Sequence, residues 1–260
     1  MSTFPPPIPN LFRQKVLARE KLIGCWCTLS SHLSTEILGY VGFDWLLIDG
    51  EHSPNDLQTF IHQLQALKDS RSAPVVRPET NSTVLIKRLL DAGFYNFLIP
   101  MVESAEQARS AVAATRYPPA GVRGVAGMQR GNLWGTLPDY FKRVNDHICV
   151  ITQIESRAGV DAADAIIEVD GVDAVFIGPS DLGAALGHLG NPGHPEVQSA
   201  IRHVVDRVHA RGKAASILAA TPDDAQRYID LGIEVVAIGN DASIYRNALT
   251  AMRDRFIKRA

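Results

Sequence analysis

The sequence predicts a (β/α)8 barrel, an α/β fold of parallel strands alternating with crossover helices. Three observations predict it. Apolar runs of strand length recur eight times, at residues 23–30, 45–51, 73–78, 96–102, 148–154, 174–179, 213–218 and 235–240. Segments with helical period lie between several of them. The eight units occupy about 240 residues, close to the roughly 250 typical of this barrel. Strand-then-helix alternation calls for parallel strands joined by crossovers. An open doubly wound sheet is the alternative. The turn after the first run reads Ser30-Ser31-His32-Leu33-Ser34, without a glycine-rich dinucleotide fingerprint, and so disfavours it.

Taken in order, a proline-rich lead over residues 1–7 gives way to a helix starting near Asn10. The first run carries Cys25 and Cys27 on one strand face. In the second, Trp45-Leu46-Leu47-Ile48 is continuously apolar, as in a strand buried on both faces, and stops abruptly at Asp49, Glu51 and His52. Leu57, Phe60, Ile61 and Leu64 then repeat at helical spacing, and the third run ends on Arg77. Ile86, Leu89, Leu90 and Gly93 mark the next helix, before the fourth run. Gln153 and Glu155, two residues apart on the fifth run, share a face, and the sixth delivers Ser180 and Asp181. Ile201, Val204, Val205 and Val208 form another helical stripe. The last two runs end in Leu218-Ala219-Ala220-Thr221 and Gly239-Asn240-Asp241, without a glycine-rich phosphate cradle. Two gaps are long and rich in Gly and Pro, one holding residues 117–124 and 128–135, the other residues 186–195. Both are expected at the C-terminal face of the barrel, where active sites sit.

Composition bounds the rest. A chain of 260 residues with 46% hydrophobic content reads as one domain, residues 1–260. The net charge of −2 and dispersed basic residues give no nucleic-acid footprint. No apolar run approaches the roughly 18–20 residues of a membrane span. The N-terminus lacks the basic and apolar regions of a secretory signal, so the expected location is cytoplasmic. The odd set Cys25, Cys27 and Cys149 reads as reduced core thiols.

The strand ends of a barrel converge, so their residues can be read together. Glu155 and Asp181 suit a hard divalent cation, Mg2+ first, with Mn2+ or Co2+ also accepted. An acid/base carboxylate pair is the rival use. The bland readings are an ion pair and, for Asp181, a helix cap. His52 is the expected base, since imidazole titrates near neutrality. Arg77 in a core strand needs a partner such as Asp49 or Glu51, and can stabilise a developing anion. Of the lysines at 15, 21, 68, 87, 142, 213 and 258, Lys213 alone falls in a run, at its N-terminal end, so no Schiff base is expected. Metal, cation and base together describe enolate formation beside a carbonyl.

With these residues placed, the chain closely resembles the HpcH/HpaI family of metal-dependent pyruvate aldolases. The resemblance rests on Gly42-Phe43-Asp44-Trp45-Leu46-Leu47-Ile48-Asp49-Gly50-Glu51-His52, Pro74-Val75-Val76-Arg77, Thr115-Arg116-Tyr117-Pro118-Pro119, Arg123-Gly124-Val125, Gln153-Ile154-Glu155 and Ile177-Gly178-Pro179-Ser180-Asp181-Leu182, spread between residues 42 and 182. It implies a phosphoenolpyruvate/pyruvate-type barrel cleaving a 2-keto-3-deoxy sugar acid, best matched by 2-dehydro-3-deoxyglucarate, to pyruvate and an aldehyde. Family substrates such as 4-hydroxy-2-oxoheptanedioate and 2-keto-3-deoxy-rhamnonate are alternatives, as more distantly is a non-catalytic 2-keto-acid-binding barrel. The implied catalytic residues are His52, Arg77 and Asp91, with Asp91 of a neighbouring unit, rather than Asp49, raising the basicity of the histidine. The implied metal ligands are Glu155 and Asp181. Gln153, Ser180 and Asp181 are implied to bind substrate, Ser180 largely through its backbone N–H. Asp49 and Glu51 become supporting groups. Arg130, in a loop that departs from the family pattern, is a candidate for the carboxylate of an acidic aldehyde. The resemblance also implies a homohexamer in which the helix over residues 242–256 is exchanged between subunits.

Overall fold

The computed structural model describes residues 8–257; the proline-rich lead at 1–7 and Lys258 lie outside the described residues. Eight parallel strands close into a barrel in sequence order: β1 (Leu22–Cys27), β2 (Trp45–Asp49), β3 (Ala73–Arg77), β4 (Asn96–Ile99), β5 (Cys149–Ile154), β6 (Ala174–Ile177), β7 (Ala214–Leu218) and β8 (Val235–Asn240). The helices are α1 (Leu11–Leu17), α2 (His32–Val41), α3 (Leu57–Ala66), α4 (Thr83–Ala92), α5 (Ala105–Ala114), α6 (Tyr140–Arg143), α7 (Arg157–Asp161), α8 (Ala163–Ile167), α9 (Pro179–Ala185), α10 (Pro195–Ala210), α11 (Pro222–Asp230) and α12 (Asp241–Asp254).

Side-chain alternation divides the core in two. Leu46, Ile48, Val76, Phe97, Ile99, Val150, Ile154, Val175, Ile177 and Val236 point outward and pack under the helices, as do Cys25 and Cys27. Trp26, Trp45, Leu47, Val75, Leu98, Ile151, Phe176, Val235 and Ala237 point inward and fill the barrel. Gly24 makes room for the largest of them, since a Cβ there would stand 2.2 Å from the Trp45 ring. Helix α1 closes the bottom of the barrel with Phe12 and Val16. Its N-cap Asn10 accepts from the N–H of Arg13 and donates to Asn96 Oδ1 at 2.7 Å. The thiols of Cys25, Cys27 and Cys149 are buried and free, and burial pushes the Cys25 thiol up to about 12.

The inward positions nearest the strand C-termini are polar. Asp49 follows Trp45 and Leu47 on β2, Arg77 follows Val75 on β3, and Gln153 follows Ile151 on β5. The alternation that packs the barrel therefore also delivers the polar set to its mouth.

One expectation fails. The Gly/Pro-rich stretch between α5 and β5 lies at the N-terminal face, opposite the mouth. Helix α5 returns the chain to the bottom before that stretch begins. There Arg130 Nη1 donates to the carbonyl of Ala92 at 2.9 Å, and Tyr95 Oη donates to the carbonyl of Gly131. The second long gap, between α9 and α10, does follow a strand end. Among the described residues no helix is long and apolar enough to cross a membrane.

Candidate active site

Arg77 is fixed from three sides. Its Nε and Nη2 donate to Asp49 Oδ1 and Oδ2 at 2.8 and 2.9 Å, a fork-to-fork pair. The strand register sets this up, because Asp49 and Arg77 are direct partners across β2 and β3. Nη1 lies 2.6 Å from Glu51 Oε2, and the guanidinium carbon sits 4.5 Å above the Trp26 ring. Arg77 and Asp49 are almost wholly buried, so breaking the pair would strand a charge.

Asp49 also shapes the loop that follows. It accepts the backbone N–H of Glu51 at 3.1 Å and of His52 at 3.3 Å. Asn55 Nδ2 donates to the Asp49 carbonyl at 2.6 Å and closes the turn. The His52 side chain is thereby held at the mouth yet 66% exposed, with Nε2 at 4.0 Å from Glu51 Oε2.

Across the mouth, Glu155 Oε1 accepts the N–H of Met101 at 2.9 Å, and Gln153 Nε2 donates to Oε2. Met101 adopts a left-handed conformation (φ 52°) that aims this N–H. Asp181 sits exposed in the first turn of α9, after Ser180. Gly178 lets β6 pass close to the carboxylate, since a Cβ there would lie 2.5 Å from Glu155 Oε2.

Electrostatics tie the two halves together. Burial pushes the Glu155 carboxyl up to about 7, and the nearby Glu51 and Asp181 add to the rise. The Met101 N–H and Arg77 oppose it. Burial likewise raises Glu51, against the pull of Arg77 and His52. Glu51 Oε2 is buried and close to Arg77 Nη1, but off the direction that would make a hydrogen bond, and Gln153 Oε1 is buried without a partner. Three carboxylates that repel one another across the mouth, beside the unpartnered Gln153 Oε1, suit a divalent cation. Glu155 and Asp181 would be its protein ligands, leaving positions for substrate oxygens.

Beside Ser180 a cavity of about 280 Å³ opens, lined by Pro179, Gly193, Leu218, Gly239 and Asn240 among others.

Two residues expected here are elsewhere. Asp91 lies at the C-terminal end of α4, on the N-terminal face, where its Oδ1 accepts from Arg123 Nη2 at 3.0 Å. No His52–Asp91 contact is made within the chain. Arg130 is on that same face, so within one chain it does not reach the mouth. Conversely, Met101, Asn55 and Trp26 support the site and were not singled out from sequence. Met101 acts through its backbone, which carries no residue signature.

A model of the HpcH/HpaI aldolase/citrate lyase family matches residues 22–248, and the chain belongs to this family of carbon–carbon lyases. Particular relatives lie within it. The 5-keto-4-deoxy-D-glucarate aldolase of Enterobacter sp. (strain 638) is 57% identical over 250 residues, covering 96% of this chain and 98% of that protein. The protein of the same name from Shigella boydii serotype 18 is 55% identical over 253 residues, covering 97% and 98%. Among solved structures, an HpcH/HpaI aldolase/citrate lyase family protein from Burkholderia cenocepacia J2315 matches with a TM-score of 0.91 at 38% identity, covering 94% of this chain and 98% of that one.

Proposed function

We propose that this protein is a metal-dependent aldolase cleaving 5-keto-4-deoxy-D-glucarate, which is 2-dehydro-3-deoxyglucarate, to pyruvate and tartronate semialdehyde. The observation that carries the reading is the meeting at one barrel mouth of a pinned Arg77 with the mutually repelling carboxylates Glu155, Glu51 and Asp181. The relatives' names support the substrate.

Glu155 and Asp181 would hold a divalent cation, Mg2+ first, which would supply Lewis-acid polarisation of the keto group. The amides at the start of α9, around Ser180, have no intrahelical acceptor and hold the substrate carboxylate. Gln153 keeps Glu155 oriented and offers Oε1 to the substrate. His52, through a water, takes the proton of the C4 hydroxyl. The C4–oxygen bond becomes the aldehyde carbonyl as C3–C4 breaks, and that electron pair forms the pyruvate enolate. Arg77 stabilises the enolate oxygen. The proton returned to C3 completes pyruvate.

Asp91 serves His52 in this scheme only from a second copy of the chain, because each chain carries the two residues at opposite ends of its barrel. Arg130 reaches a substrate carboxylate under the same condition. The homohexamer with an exchanged C-terminal helix is consistent with α12, which buries only Asp241 and leaves Ile244, Tyr245, Leu249 and Met252 uncovered within one chain.

Substrate profiling with purified protein and Mg2+ tests the substrate. The highest kcat/KM is expected for 5-keto-4-deoxy-D-glucarate, with both products identified. A higher value for 4-hydroxy-2-oxoheptanedioate or 2-keto-3-deoxy-rhamnonate would reassign it within the family.

A further inference from the structure

Helix α10 begins in a group of side chains that the aldol chemistry does not use. His188, His194 and Glu196 each bring a ligand atom to within 4.8 Å of the others, and among the described residues this is the group of three that could hold a metal ion. We infer that it is a second cation site, specific for a borderline transition ion such as Zn2+, Co2+ or Ni2+, and sharing no residue with the Glu155–Asp181 pair.

The donor set selects the metal. Two imidazoles and one carboxylate suit Zn2+ and its neighbours, whereas Mg2+ prefers oxygen donors. The existing hydrogen bonds show which atoms are committed. His188 Nε2 meets Glu196 Oε2 at 2.8 Å, so a proton now bridges the two atoms that a cation would bridge. His194 Nδ1 accepts the N–H of Glu196 at 3.2 Å, which fixes its ring and leaves Nε2 for a cation. Arg157 Nη2 stands 3.6 Å from the other carboxylate oxygen, Oε1, so Oε2 keeps its lone pairs toward the histidines.

The two rings are stacked, with centroids 3.4 Å apart and planes at 16°. Stacked rings do not aim both lone pairs at one point. Bonds of about 2.0–2.2 Å put ligand atoms roughly 3.3–3.6 Å apart, so binding needs one ring to rotate and the 2.8 Å His188–Glu196 pair to open by roughly half an ångström. His188 lies in the loop before α10, outside the hydrophobic core, with its side chain 23% exposed. Pro192 and Gly193 of that loop line the cavity beside Ser180, so an occupied site would pin the rim of the mouth.

The test uses full-length protein carrying Glu155→Gln and Asp181→Asn, which removes the proposed catalytic pair. After chelator treatment and dialysis against micromolar Zn2+ at about pH 7.5, where imidazole is free to bind, one zinc per chain is expected. Adding His188→Ala and His194→Ala should bring that to near zero. With Co2+ in place of Zn2+, a visible absorption band should appear and vanish with the same two substitutions. Zinc absent from the acid-pair protein, or unchanged by the histidine substitutions, would overturn the inference. Should the histidine variant fail to fold, Glu196→Gln carries the test. It should weaken Zn2+ binding at least about 10-fold, and unchanged affinity would equally overturn the site.

Discussion

At the residue scale the proposed chemistry rests on Arg77 and Glu155. A bidentate Asp49, a second carboxylate and an indole face leave the guanidinium no alternative rotamer, so it presents its charge without reorganisation. Arg77→Ala should lower kcat by at least about 10²-fold, as loss of an oxyanion donor does. Steady-state kinetics check this, and near-normal turnover would remove its assigned role. Glu155 has the opposite problem, a carboxyl held up to about 7 against an ordinary 4.5. Between those values the folded, cation-free protein binds more protons than the unfolded chain. The contribution of Glu155 to stability is therefore fully present below about pH 4.5 and is lost as pH rises through about 7, by up to about 3 kcal/mol. A bound cation replaces the proton, so Mg2+ should raise the melting temperature more at about pH 8 than at about pH 6. Equal shifts in a thermal melt at the two pH values would contradict this. His52, Arg77 and the acids were legible because a charged tip on a wholly apolar strand has no packing rationale. The Met101 N–H was not legible, since a backbone donor in a left-handed turn leaves no mark on residue type.

Between elements, the fit is tightest where β6 passes Glu155. Gly178→Ala would put a methyl against that carboxylate, 2.9 Å from its Cβ. The site rather than the fold should suffer, with kcat/KM falling about 10²-fold for a misplacement near 1 Å while the far-ultraviolet circular dichroism stays native. Unchanged kinetics would show that the close approach is incidental. The eight strands were legible as apolar runs. Helix α5 was not, and the misplaced loop follows from that. Its buried face is Ala108, Ala111 and Ala114, with no Leu, Ile or Val in the stripe, so it carries almost no hydrophobic period. Without that helix, the stretch after it reads as the loop of strand 4 and lands on the wrong face. Topology, not composition, decides the matter, because an αβ connection and a βα connection lie at opposite ends of a barrel.

For the whole molecule, His52 and Asp91 stand at opposite ends of one barrel, so the proposed use of Asp91 requires a second copy of the chain. The face that holds Asp91 also exposes Val122, Val125, Met128 and Trp134, an apolar surface suited to a second copy. His52→Asn and Asp91→Asn proteins should each be impaired. Reassembled together they should regain activity at up to about one quarter of sites by random mixing of the two chains, whereas residues acting within one chain would give no recovery. Resemblance made Asp91 legible, but only the topology shows which copy it can serve. The central claim, a cation-dependent aldol cleavage at the strand ends, is tested most directly by pyruvate release from 5-keto-4-deoxy-D-glucarate, coupled to lactate dehydrogenase. Chelator-treated protein should be silent and regain turnover with Mg2+ or Mn2+, while Glu155→Gln protein should stay silent with either ion. Pyruvate formed at the same rate with and without chelator, or by the Glu155→Gln protein, would contradict it.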